Sequence, residues 1–89
     1  MARFEMTGAE MAPLAGSVAP AQGFFELGIL YATGRDVELD LVSAHKWLNI
    51  AAVKGNAEAA QYRQELAREM SASAVAEAQR AAREWLRTH

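Results

Sequence analysis

The sequence predicts an all-α protein built from two antiparallel helix hairpins. Three observations carry this. Alanine supplies 20 of the 89 residues, and alanine loses no side-chain entropy on entering a helix. Both prolines, Pro13 and Pro20, fall within the first twenty residues, so the rest is free of the strongest helix breaker. From residue 21 onward apolar residues recur at i, i+3, i+4 and i+7, the period of one buried helical stripe.

The first predicted helix carries Phe24, Leu27, Gly28 and Tyr31 on that stripe, with Phe25 and Ile29 on an adjacent face. Gly28 inside a helix costs about 1 kcal/mol relative to alanine. Close approach of a neighbouring helix is the expected return. Gly34 stops the helix, and residues 34–39 read as a loop. Asp40 then caps a second helix, its carboxylate accepting from free backbone amides. That helix places Leu41, Ala44, Leu48, Ala51 and Ala52 on one side, with Trp47 beside them as the largest apolar surface nearby. Gly55 ends it, and Asn56 caps a third helix over about Ala57 to Met70. Ala59, Tyr62, Leu66 and Met70 form its inward line. Ser71 caps a fourth helix reaching about Arg87, where Val75, Ala78, Ala82 and Trp85 recur at alternating three- and four-residue steps, with Trp85 placed either to cap the core or to lie in an interface. Arg80 and Glu84 stand four residues apart and are expected to pair at its surface. Short connections imply antiparallel neighbours.

Residues 1–20 differ. Gly8, Pro13, Gly16 and Pro20 interrupt every helical period there. The segment Thr7-Gly8-Ala9-Glu10 has capping-box spacing and can open a short helix carrying Met11 and Leu14. A loosely held arm is the alternative. Either way Phe4, Met6, Met11 and Leu14 are available to cover an open end of the core.

Composition excludes several classes. No apolar run approaches the ~20 residues that a membrane span needs. The first twenty residues lack a positive start followed by a long apolar stretch, so no secretory leader is expected. The absence of cysteine removes disulfides, thiolate metal sites and cysteine nucleophiles. Nine basic against eleven acidic residues give a net charge of −2, which offers phosphate backbones no general attraction. The cytoplasm is the expected location.

The run Leu27-Gly28-x-x-Tyr31-x-x-Gly34-x-x-Val37-x-x-Asp40-x-x-x-Ala44-x-x-Trp47-x-x-x-Ala51-Ala52-x-x-Gly55 resembles a Sel-one-like repeat. That family is related to the tetratricopeptide repeat, a helix–turn–helix unit that stacks into solenoids. The resemblance implies one complete repeat over 21–55 and a partial repeat with a cap over 56–89, together a domain at 21–89. Gly55-Asn56-Ala57-Glu58-Ala59 fits the opening of a next repeat, but Arg63 and Gln64 stand where the Leu-Gly pair belongs. Residues 70–85 resemble the C-terminal capping helix of bacterial members. The loop of such repeats usually has glycine where this chain has Asp36, a residue that tolerates a left-handed backbone better than most. Small residues Gly28, Ala44 and Ala51 let the two helices approach, while Leu27, Tyr31 and Trp47 fill the gaps.

Chemistry is sparse. His45 lacks a second histidine at ligand spacing and is expected on a solvated helix surface. Asp36, Glu38 and Asp40 alternate, but the twelve-residue calcium loop is absent, and Asp40 is better read as a cap. Ser17, Ser43, Ser71 and Ser73 lack a nearby histidine base. Gly8, Gly16 and Gly23 make no phosphate loop. Arg80, Arg83 and Arg87 read as a solvated face diluted by Glu77 and Glu84, with contact to an acidic partner as the alternative. No catalytic residue, cofactor or metal site is expected.

The resemblance implies a protein–protein adaptor of bacterial type, by analogy of fold. Phe25, Ile29, Gln61 and Glu65 are the expected contact residues, because the first helix of each hairpin lines the concave side in related solenoids. Solenoids usually need three or more units, so a lone unit leaves an apolar face open. The alternative is self-association, in which an isologous homodimer buries that face. Hydrolase labels attach to cysteine-rich relatives, and this chain lacks their paired cysteines.

Overall fold

A computed structural model describes residues 20–89. The arm expected over 1–20, with its capping box, lies outside the described residues except for Pro20. Within them the chain forms four helices and no strand: α1 (Pro20–Thr33), α2 (Leu41–Val53), α3 (Ala57–Ala67) and α4 (Ala72–Thr88). The all-α class is what the alanine content and helical period predict. Pro20 opens α1, where its missing amide costs nothing.

Each boundary has a residue-level cause. Gly34, at φ 71°, takes the left-handed turn that ends α1, and its amide donates to the Leu30 carbonyl at 2.8 Å. Asp36 is also left-handed, at φ 65°, a backbone that aspartate tolerates better than most residues. The loop is pinned back onto α1 by the Asp40 amide, which donates to the Tyr31 carbonyl at 3.0 Å. Asp40 then caps α2 by accepting from the Ser43 amide at 3.1 Å and the Ser43 hydroxyl at 2.9 Å. At the far end of α2, Gly55 sits at φ 111°. The Gly55 amide bonds to the Ala52 carbonyl and the Asn56 amide to the Ala51 carbonyl, a Schellman closure. Asn56 caps α3 through the Ala59 amide at 2.8 Å, and Ser71 caps α4 through the Ala74 amide at 3.1 Å. Helix α3 stops at Ala67, one turn before the expected Met70, and residues 68–70 turn towards the Ser71 cap.

Helix α2 is the centre of the packing. Helices α1, α3 and α4 each pack extensively against it, and these are the extensive helix pairs among the described residues. The core joins Ala44, Leu48 and Ala51 of α2 to Ala59 and Leu66 of α3, with Phe24, Phe25, Tyr31, Tyr62 and Met70 closing around it. On α4, Ala78 and Ala82 are fully buried, as their line predicts. A one-stripe reading of α2 omits Ile50 and misplaces His45; both are buried. A helix with three neighbours buries more of its circumference than one stripe.

Gly28 shows why α1 and α2 lie so close. A Cβ built there would stand 2.8 Å from Leu48 Cγ and Cδ2 and 3.3 Å from the Ala44 carbonyl oxygen. Trp47 and Trp85 belong to an aromatic cluster. Phe24 stacks on Trp47 at 5.7 Å between centroids, and Trp85 meets both edge-on, at 5.1 Å from Phe24 and 5.5 Å from Trp47. Trp85 thus fastens α4 to α1 and α2, and the His89 ring stacks on it at 4.3 Å. Glu84 pairs with Arg87 rather than with Arg80. Both partners are largely exposed, so the pair contributes little to stability.

Candidate functional site

Two recesses bear on function. The first is an apolar groove on the side of α1 turned away from α2. Phe25, Ile29 and Leu30 line it, with Gln22, Glu26 and Arg35 at the rim, and its volume is about 470 Å³. Phe25 and Ile29, one turn apart, share a helix face, and Leu30 follows about 100° further round the helix to close the groove. Gln22 donates from its side-chain amide to the Glu26 carboxylate at 3.1 Å, which orders one edge. Phe25 has two roles here. It lines the groove, and it also packs on the core, meeting Tyr62 of α3 edge-on at 6.3 Å. Ile29 lines the groove without joining that core cluster.

The other expected contact residues sit elsewhere. Gln61 and Glu65 lie one turn apart on α3, both exposed, and neither lines the groove. Of the positions that carry the resemblance, Gly28, Ala44, Trp47, Ala51 and Ala52 make core or helix contacts, Gly34, Asp40 and Gly55 set helix ends, Leu27 is half-buried on α1, and Tyr31 and Asp40 line a recess beside the α1–α2 loop.

The second recess is polar and lies between α3 and α4, over α2. Its floor is His45 and Asn49; α3 contributes Arg63 and Gln64, and α4 contributes Gln79 and Arg83. Its volume is about 420 Å³. The recess exists because α3 and α4 lean on α2 more than on each other. Arg63 donates from Nη1 to Asn49 Oδ1 at 2.8 Å, which ties α3 to α2 across the floor.

His45 corrects the sequence reading. Expected on a solvated surface, it is only 2 % exposed. Its Nδ1 is sealed from solvent and has no hydrogen-bond partner. Burial, and secondarily the positive charge of Arg63, lower its pKa from the ordinary 6.5, so the ring is held neutral. Sequence reasoning missed this recess because its parts come from three helices. Arg63 and Gln64 share its polarity with His45 and Asn49 of α2 and with Gln79 and Arg83 of α4.

Among the described residues no group of three or more His, Cys, Asp or Glu side chains can hold a metal ion. No helix among them is long and apolar enough to cross a membrane. Comparison with family models, curated proteins and solved structures finds no match to the chain.

Proposed function

We propose that this chain is a non-catalytic protein–protein interaction module whose contact surface is the α1 groove. The observation that carries this reading is the groove itself. Phe25, Ile29 and Leu30 present apolar surface on the side of α1 that α2 does not cover, between Glu26 and Arg35, charges of opposite sign. An apolar strip with a charged rim is the anatomy of a docking surface. The resemblance of residues 27–55 to a Sel-one-like repeat supports the same reading by analogy. Gln61 and Glu65 face solvent on a separate helix and fit a peripheral contact better than a central one.

The test places a photo-reactive residue at Ile29 in the full chain, expressed in a bacterial host, with Lys54 as the control position. The expected result is a covalent adduct with a different protein at position 29 and none at 54. The Ile29→Glu variant should lose that partner in solution while keeping its helicity. Adducts formed only between copies of this chain, with molar mass rising with concentration, would replace the adaptor by the self-associating form. Equal adducts at both positions would overturn both readings.

A further inference from the structure

We propose that the recess between α3 and α4 is a binding site for a small ligand bearing an oxyanion, a phosphate monoester or a carboxylate, held by Arg63 and Arg83. The recess is separate from the α1 groove, so this inference stands or falls independently of the adaptor reading.

Charge is the first argument. The chain as a whole is acidic, with a net charge of −2, yet the recess is lined by two guanidinium groups and no carboxylate. Among the described residues neither arginine has an ion-pair partner. Two like charges lining one recess repel, and an anion between them removes that repulsion. The second argument is preparation. Arg63 is half-buried, and Asn49 accepts from its Nη1. That bond occupies one of five donors and fixes the plane of the fork, so the remaining donors face a ligand with less entropy to lose. Gln64 and Gln79 add side-chain amides that donate to oxygen.

The third argument is the floor. His45 carries a buried ring nitrogen without a partner, an unusual expense inside a domain this small. The charged groups that line the recess with it are Arg63 on α3 and Arg83 on α4, both positive. An oxyanion placed between them offsets the charge that disfavours imidazolium, so His45 senses occupancy of the site. Volume supplies the last argument. A recess of about 420 Å³ falls in the range of small-molecule sites and exceeds what a bare anion fills. The recess has room for an organic portion beside the oxyanion.

The experiment follows the His45 ring by nitrogen-15 NMR while inorganic phosphate or succinate is added to the full chain, against sodium chloride at matched ionic strength. Saturable movement of the ring signals is expected, with the His45 titration midpoint shifted upward. Arg83→Gln, at an exposed position, should weaken binding by about ten- to a hundredfold, and Arg83→Lys should recover part of it. Lys54→Gln should change nothing. Response to phosphate alone assigns a phosphate monoester, and response to succinate alone a carboxylate. The proposal is overturned if chloride moves the signals equally, if Arg83→Gln binds as the parent does, or if neither anion saturates at about 10 mM, well beyond a millimolar Kd.

Discussion

The Gly28 backbone of α1 rests directly on the Leu48 side chain of α2, leaving no room for a methyl group between them. Leu48 is fully buried, so it has no open space into which to swing. The Ala44 carbonyl blocks the other direction. Gly28→Ala therefore sets two effects against each other. Helix propensity gains about 1 kcal/mol, while forcing a methyl into a packed contact costs about 1–3 kcal/mol. The clash wins, and urea denaturation should show a net loss of about 1 kcal/mol. In a Leu48→Ala background the same substitution should be neutral or stabilising, because the two closest obstructing atoms are gone and the Ala44 carbonyl oxygen, at 3.3 Å, needs only a small shift. Gly28→Ala raising the unfolding midpoint of the otherwise unchanged chain would refute the contact.

His45 gives the domain a pH dependence of definite sign. Its folded-state pKa lies below the ordinary 6.5, so the folded chain resists a proton that the unfolded chain accepts. The stability it contributes is complete above pH 6.5 and declines as pH falls towards the lower folded-state value. Carboxylates begin to contribute only below about pH 5, which leaves a window in which histidine dominates. Unfolding midpoints of the parent chain should fall across that window, and His45→Gln should flatten the slope. A parent chain no more pH-sensitive than the variant would show that the ring is not sealed.

Asp36 holds a left-handed backbone at φ 65° in the loop between α1 and α2. Such a conformation costs an ordinary L-residue about 1–2 kcal/mol, and aspartate less. Asp36→Val should lower stability by about 1–2 kcal/mol. Asp36→Gly should match or exceed the parent, its relief of strain opposed by the greater freedom of glycine in the unfolded chain. Equal thermal midpoints for valine and glycine would mean that the loop rearranges.

Local chemistry was legible in the sequence. Asp40, Asn56 and Ser71 cap the helices they were expected to cap, and Gly34 and Gly55 end the helices they follow. Each such assignment depends on a side chain or an amide reaching a partner a few residues away, so sequence spacing suffices. Gly28 was also readable, because a glycine within an apolar stripe weakens its helix unless a neighbour packs closely against it. What failed was anything set by the number of neighbours. A single buried stripe on α2 leaves His45 at the surface and does not include Ile50, yet both are enclosed. The Ile29 surface was anticipated, but Gln61 and Glu65 were grouped with it by analogy, and the packing separates them. The arginine recess has no signature in any single segment, since its lining is assembled from α2, α3 and α4.

The central position of α2 also fixes how the domain comes apart. A linear array frays from its terminal unit inward, one interface at a time. Here three helices share one hub, so losing any of them strips a different flank of α2. Amide protons of α2 should exchange with solvent only when the whole domain opens, whereas those of α4, fastened by Trp85 and a line of alanines, can exchange through detachment of that helix alone. The kinetics of opening are thus radial rather than sequential, with the earliest escape at the C-terminal helix and the last at the middle of the chain.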